Sequence, residues 1–372
     1  VDNTVPIDPY HMEAALALAA RGIGRTWPNP SVGCVIVKDG RVVGRGRTAD
    51  GGRPHAETQA LSMAGDRAQG ATVYVSLEPC CHHGQTPPCT DALIEAKVAR
   101  VVVAAADPDP RVMGQGIERL KAAGIQVSVG LLDDKAAAVN AGFFAARQWG
   151  RPLITVKIAS TLDGRIATKD GQSQWITGPV ARAWGHRLRA CHDAVLVGIR
   201  TAISDDPDLT CRLPGLDDRP PVSVVVDGWL NLPDASKLVR AAASRPVWVL
   251  TNAKPDPKRV KQLEGYGVKV IPVVSALDRV IDLPLAMTQL AQLGLTRIMV
   301  EGGSRVAATF MHADLVDRLV WFRAPAIMGG DGLAAVQPIG VAVLAAMPKF
   351  HLTDLLRVGD DVMETYERTR QV

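Results

Sequence analysis

Short apolar, β-rich runs alternate with stretches of helical period along nearly the whole chain, and the alternation is interrupted once. SVGCVIVKDGRVVGRG reads as two strands around Asp39-Gly40, a hairpin signal. HAETQALSMAG follows as a helix, ATVYVSL as a strand, TDALIEAKV as a helix, VARVVVAAADP as a strand, IERLKAAG as a helix and IQVSVGLL as a strand. Ahead of them, Asp8 is a candidate N-cap and Pro9 a first-turn residue of a helix reaching Gly22. A leading helix and then β-β-α-β-α-β-α-β predicts a mixed sheet covered by helices, a three-layer α/β/α domain. KAAAVNAGFFAARQWG then runs into Gly150-Arg151-Pro152, where Gly and Pro stop a helix, and LITVKIAS begins a strand at once. The boundary is placed there, giving domains 1–149 and 150–372. The second repeats the strand-helix pattern with AVLVG, PVSVVVD, PVWVLT, VKVIPV and RIMVEGG, and closes on LVDRLVWFRAP and KFHLTDLLRVGDDVMETYERT, both strand-like.

Composition narrows the function classes. The 372 residues are 47% hydrophobic, enough for two cores of ordinary size. The net charge is +4, with acids and bases interspersed and only 4% aromatic residues, so no nucleic-acid groove is indicated. No apolar run reaches the ~18 residues that a membrane span needs. The start has no basic region ahead of its apolar part and reads as a helix rather than a signal peptide. A cytoplasmic location is expected, where thiols stay reduced.

That matters for LEPCCHHGQTPPC, Leu77 to Cys89, which holds three of the six cysteines. In a reducing compartment a disulfide loop is disfavoured. Upstream lies His55-Ala56-Glu57, and Pro79-Cys80 ends the ATVYVSLE strand. Zinc deaminases carry H-x-E followed by P-C-x-x-C, with the Glu as proton shuttle and not a ligand. Here the second cysteine of that pattern, Cys89, comes later, just before a helix. His55, Cys80 and Cys89 would give one imidazole and two thiolates, leaving a fourth zinc position for water, whose pKa falls towards ~7. Glu57, on the first helical turn after His55, would carry protons. Cys81 points away from its neighbour Cys80 and reads as structural or incidental. His82 and His83 read as loop residues, and Gln85 and Thr86 as pocket-shaping. A structural zinc site is the plainer alternative, but it leaves Glu57 without a task.

TWPNPSVGCVIV, HAE, LEPCCHHGQTPPC and AADPDPRVMGQG, in that order, resemble the deaminase half of the bifunctional deaminase-reductase family of riboflavin biosynthesis. Cys81 sits where that family more often has serine. LITVKIASTLDGRIAT, GQSQWITG, LRACHDAVLVGIRTAISDDPDLTCR and VEGGSRVAATF resemble its reductase half. The resemblance implies a cytidine-deaminase-like first domain and a dihydrofolate-reductase-like α/β second domain. It implies zinc-dependent deamination, at ring carbon 2, of 2,5-diamino-6-(5-phosphoribosylamino)pyrimidin-4(3H)-one. NADPH reduction of the ribosyl group of 5-amino-6-(5-phosphoribosylamino)uracil to ribityl follows. Zinc and NADPH are the implied cofactors, a pyrimidine ribotide the small-molecule partner, and a homodimer or higher homo-oligomer the assembly.

Residue by residue, the resemblance puts Asn29 in the deaminase pocket, though between prolines it also reads as a turn residue. It gives Ala159, Trp175, Thr201, Asp205 and Gly303, Ser304, Arg305, Val306, Ala307, Ala308 and Thr309 to NADPH. It gives Ser173, Arg189, Leu209, Arg212 and Glu301 to the ribotide. Gly302-Gly303 between a strand and a helix suits a phosphate but is equally a tight turn. Arg189 and Arg212 are sensible phosphate forks, against the default of solvated charge. Asp205 equally suits a turn cap. Lys157 either binds the sugar or snorkels. Glu301 is a general-acid candidate by position only. A nucleic-acid-editing deaminase with an unrelated second domain is the alternative, and a non-catalytic zinc scaffold a third reading.

Overall fold

The computed structural model describes residues 8–109, 112–252, 254–274 and 281–369. Pro110 and Arg111 of the AADPDPRVMGQG motif lie outside the described residues, as do residues 1–7. The chain divides into two compact units, Val1–Gly150 and Arg151–Val372.

In the first unit, helix α1 (Pro9–Ala20) starts with the Tyr10 N–H donating to the Asp8 carboxylate and Pro9 in its first turn. Strands β1 (Gly33–Lys38) and β2 (Arg41–Arg47) pair antiparallel. Asp39 and Gly40 turn between them with φ of 49° and 70°, as a two-residue hairpin loop requires. Then follow α2 (Ala56–Ala64), β3 (Thr72–Leu77), α3 (Cys89–Glu95), β4 (Arg100–Ala105), α4 (Gln115–Ala122) and β5 (Gln126–Val129). The sheet order is β2-β1-β3-β4-β5, with β3, β4 and β5 parallel. The helical segment expected after β5 is two helices, α5 (Asp133–Val139) and α6 (Ala141–Gln148). Asn140 divides them. It is buried, and its amide bonds both the N–H and the C=O of Ser31, a pairing that favours a break at this position.

Helices lie on both faces. Helix α1 packs on β1 and β3, and α2 on β1 and β2. Both seats are glycines. A Cβ on Gly33 would fall 1.8 Å from the Ala15 carbonyl oxygen of α1, and one on Gly46 would fall 2.4 Å from the Ala56 carbonyl oxygen of α2. The β3 and β4 strands, Val73, Tyr74 and Val75 beside Val101, Val102 and Val103, are buried on both sides, as inner parallel strands are.

The second unit contains β6 (Leu153–Ser160), β7 (Arg165–Ala167), α7 (Pro179–Ala190), β8 (Ala194–Gly198), α8 (Ile199–Asp205), β9 (Val222–Val226), α9 (Lys237–Ala241), β10 (Val247–Thr251), α10 (Pro257–Gly265), β11 (Lys269–Pro272), α11 (Leu283–Gln292), β12 (Arg297–Val300), α12 (Ser304–His312), β13 (Arg318–Arg323), β14 (Leu333–Ala334), β15 (Phe350–Val358) and β16 (Asp361–Arg368). Its nine-stranded sheet runs β11-β10-β9-β8-β12-β6-β13-β16-β15, parallel from β11 to β13 and antiparallel beyond. The small β7–β14 ribbon has no sequence signal strong enough to foresee it. Two buried carboxylates align the central strands. Asp193 accepts the N–H groups of Thr296 and Arg297, at 2.7 and 2.9 Å, at the start of β12. Asp317 holds Arg151 in a two-pronged pair at 2.7 and 2.8 Å and also accepts the Ile154 N–H. No helix among the described residues is long and apolar enough to cross a membrane.

The glycine seat of α2 gives a test. Gly46→Ala forces a methyl into the helix backbone, so about 1–3 kcal/mol of stability should be lost. A fall in the urea midpoint of the first unit's unfolding checks this, and an unchanged midpoint contradicts the packing described.

Candidate active sites

Three segments meet at the carboxyl end of β3. His55 is the residue just before α2, and Glu57 lies in that helix's first turn. Cys80 follows β3 after Glu78 and Pro79, and Cys89 opens α3. His55 Nδ1 lies 3.3 Å from Cys89 Sγ and 3.6 Å from Cys80 Sγ, and all three donor atoms fall within 4.8 Å of one another. Tetrahedral zinc on one imidazole and two thiolates needs donor separations of roughly 3.5–3.8 Å, given its usual bond lengths. The residues present therefore fit the ion.

Backbone bonds fix this arrangement. The Cys89 N–H donates to Cys80 Sγ at 3.3 Å, and the Thr90 N–H and hydroxyl both donate to the Cys80 carbonyl. The Cys89 thiol and then the His55 ring lower Cys80 to about 4, against the effect of burial. The bond to Cys80, with burial, pushes Cys89 up. Zinc held here would keep both sulfurs as thiolates. Burial and the facing Cys80 charge push the Glu57 carboxyl up to about 7. A carboxyl near neutrality both takes and gives protons.

Cys81, His82 and His83 are outside this cluster, and burial raises the Cys81 thiol. Asn29 donates from Nδ2 to the Gly52 carbonyl, three residues before His55, and packs on Gly52 too closely for a side chain there. Arg53 donates to the Thr86 hydroxyl at 2.7 Å, tying the His55 loop to the Cys89 loop. Gln85 is exposed.

In the second unit Ala159 of β6, Thr201 after β8, and Glu301 and Gly303 after β12 lie at the carboxyl ends of these parallel strands, with Arg189 paired to Glu301, and ligands of open α/β sheets bind at such ends. Ala159 is the penultimate residue of β6, opposite Phe322 of β13. The Gly198 N–H donates to the Gly302 carbonyl at 3.1 Å, joining the two strand-to-helix turns. A Cβ on Gly303 would stand 3.0 Å from the Thr201 hydroxyl of α8, so a larger residue there would press on that side chain. No side chain caps α12, and its first intrahelical bond is from the Ala307 N–H to the Gly303 carbonyl. The N–H groups of Ser304, Arg305 and Val306 thus precede the helical ladder and suit a phosphate. Ala307 and Ala308 are buried in the helix body, and the Thr309 hydroxyl is bonded to the Arg305 carbonyl.

Arg189 and Glu301 form a two-pronged ion pair at 3.0 and 2.6 Å, and Arg189 also donates to the Thr210 carbonyl. Burial would raise Glu301, but the Arg189 and Lys157 cations outweigh it and hold the carboxyl below its ordinary value. An ionised, paired carboxylate has no proton to give, so Glu301 is poorly suited to be a general acid. Burial lowers Lys157, against the Glu301 charge, and its ammonium stands 5.8 Å from the Phe322 ring centre. Leu209, with φ of 56°, is 1% exposed and its side chain belongs to the core. Arg212 is exposed, with one long contact of 3.6 Å to Asp208. Asp205 ends α8 and accepts the Ser204 hydroxyl, while Asp206 holds the start of α9. Ser173 is half-buried, and Trp175 is exposed with the Arg182 guanidinium 4.7 Å over its ring.

Two sites of this kind on separate units define a two-domain enzyme, a deaminase-type zinc centre joined to a nucleotide-dependent reductase-type sheet. The family model for the cytidine and deoxycytidylate deaminase zinc-binding region matches residues 6–105, and that for the RibD C-terminal domain matches residues 152–363. The riboflavin biosynthesis protein RibD of Aquifex aeolicus is 40% identical over 97% of this chain and 99% of its own length. That of Escherichia coli is 41% identical over 95% and 98%. Acinetobacter baumannii RibD (form 1) superposes with a TM-score of 0.88 at 37% identity, covering 97% of this chain and 99% of that one. The diaminohydroxyphosphoribosylaminopyrimidine deaminase/5-amino-6-(5-phosphoribosylamino)uracil reductase of Thermotoga maritima superposes with 0.83 at 34%, covering 97% and 98%. The chain belongs to the RibD family. It is a bifunctional deaminase and reductase of riboflavin biosynthesis, with zinc and NADPH as cofactors.

Sequence reasoning passed over Glu78, Thr90 and Arg53. Glu78 is the only acid between Leu77 and Cys89, directly ahead of Pro-Cys at a strand end, and that position was its signal. The ligand set is open to direct test. Metal analysis should give one zinc per chain, lost in Cys80→Ser and Cys89→Ser and kept in Cys81→Ser. Loss of zinc in Cys81→Ser would contradict the assignment.

Proposed function

We propose that domain 1–149 deaminates 2,5-diamino-6-(5-phosphoribosylamino)pyrimidin-4(3H)-one at ring carbon 2. Domain 150–372 then reduces the ribosyl group of the resulting 5-amino-6-(5-phosphoribosylamino)uracil to ribityl. The observation that carries this is the buried Glu57 carboxyl on the helical turn that follows His55, beside the Cys80–Cys89 pair. A purely structural metal site would give that acid no task. The two activities for which the Thermotoga maritima relative is named supply the substrates.

Bound zinc supplies a Lewis acid that makes water nucleophilic at neutral pH. Glu57 would take one proton from the attacking water and deliver it to the ring nitrogen, then take the proton of the new hydroxyl and deliver it to the amine, which leaves as ammonia. Asn29, held by Gly52, keeps Oδ1 for the pyrimidine ring. Arg53, bridged to Thr86, holds the two loops that carry His55 and Cys89.

In the second domain, NADPH supplies a hydride for carbon 1′ of the ribose. The helix N-terminus at Ser304–Val306 and the Gly302-Gly303 turn seat the cofactor, with Ala159, Trp175, Thr201 and Asp205 around it. Arg212 and the outer edge of Arg189 hold the 5′-phosphate, while Glu301 keeps Arg189 oriented. Ser173 and the Leu209 backbone complete the ribotide pocket, and Lys157 serves the opened sugar. The editing-deaminase alternative leaves this second domain without a role.

The cytoplasm is the proposed location, in keeping with six free thiols. A homo-oligomer is the proposed assembly. The outermost strand of the sheet, β15, exposes Leu352 and Leu355, a surface suited to a second copy.

Glu57→Gln should cut ammonia release by about 10²–10⁴-fold. It should keep its zinc and reduce the deaminated ribotide at the wild-type rate. Loss of both activities in the folded variant would overturn the two-site reading. Arg212→Gln removes one charged phosphate contact, so the reductase KM for the ribotide should rise about tenfold with deamination unchanged. An unaltered KM would remove Arg212 from the phosphate site.

A further inference from the structure

We propose that Glu78 is a positioning residue of the deaminase centre. Together with the N-terminus of α4 it forms a clasp that fixes Cys80 where zinc needs it. The proposal rests on the zinc reading above.

Glu78 is 6% exposed, and its carboxylate accepts four backbone N–H groups. Oε1 takes those of Gly116 at 2.9 Å and Ile117 at 3.3 Å. Oε2 takes those of Gly114 at 3.0 Å and Asp107 at 3.1 Å. The first two belong to the opening turn of α4, whose own cap position is Gly114 and has no side chain to offer. The missing cap is thus supplied by the residue two before Cys80, and the helix dipole favours a carboxylate there.

Two more contacts join the same helix to the same turn. A Cβ on Gly116 would fall 2.2 Å from the Pro79 carbonyl oxygen, so α4 abuts the backbone just before Cys80. Arg119 donates to the Cys81 carbonyl at 3.1 Å and pairs with Asp91 of α3 at 2.6 Å. Residues 78, 79 and 81 are therefore all gripped by α4, while α3 holds Cys80 itself through Cys89 and Thr90. Helix α4 supplies none of the three clustered donor atoms, so its grip acts on the centre indirectly, through the turn that carries Cys80 and, by the Arg119–Asp91 pair, through α3. A buried carboxylate with four donors is costly to replace, because any substitute leaves N–H groups unpaired. In Glu78→Gln an amide NH₂ would face backbone N–H groups.

The experiment uses the full chain and compares wild type with Glu78→Gln in three readouts. These are zinc retention against a competing chelator, kcat and KM for ammonia release at saturating zinc, and NADPH reduction of the deaminated ribotide. Support is a loss of zinc affinity of about 10–100-fold, the range for residues that orient metal ligands. A fall in kcat at little-changed KM and an intact reductase belong to the same outcome. A folded Glu78→Gln with wild-type zinc affinity and kcat overturns the proposal, even if its melting temperature is lower. If Glu78→Gln leaves the first unit unfolded, the exposed Arg119→Ala decides. A smaller zinc loss supports the clasp, and wild-type affinity and kcat overturn it. Absence of zinc from the wild type would instead sink the zinc reading itself.

Discussion

The Cys80 carbonyl accepts both the N–H and the hydroxyl of Thr90, and the Cys80 sulfur accepts the N–H of Cys89. These short bonds close the loop between β3 and α3. They bring two sulfurs, far apart for a P-C-x-x-C motif, onto one histidine nitrogen. The ligand geometry is therefore set by backbone pairing and not by the ion alone. Helix α2 brings His55 and Glu57 to the same place because it lies directly on glycines of β2. Side chains at those glycines would lift the helix, and the acid with it.

The second unit solves a related problem with buried carboxylates. Asp193 and Asp317 bind backbone N–H groups at the starts of β12 and β6, which keeps the central strands in step. Their far ends then line up, and the Gly198 and Gly302-Gly303 turns come together. There the Arg189–Glu301 pair sits nearly buried, with side chains 16% and 8% exposed. Such a pair contributes little net stability, because desolvation offsets attraction, but it holds a guanidinium in one orientation. Orientation is what a proposed phosphate clamp requires.

Much of this was legible in the sequence because it depends on local signals. The Asp39-Gly40 hairpin, the Asp8 cap and the His55, Cys80 and Cys89 set all rest on residue type and spacing. The strand alternation and the break at Gly150-Arg151-Pro152 do too. What stayed hidden depends on contacts distant in sequence. Asn140 divides a helix by bonding Ser31, and nothing near Asn140 announces it. Glu301 reads as a possible acid from position alone, and its pairing with Arg189, distant in sequence, gives it another role. Glu78 reads as an ordinary strand-end acid until a helix N-terminus more than thirty residues on closes over it.

The most direct measurement puts purified protein, the diaminopyrimidine ribotide and NADPH in one solution and follows ammonia and nicotinamide absorbance together. Ammonia should appear first, and NADPH should then disappear in equal amount. NADPH loss without prior ammonia, or no ammonia from zinc-loaded protein, would contradict two successive sites on one chain.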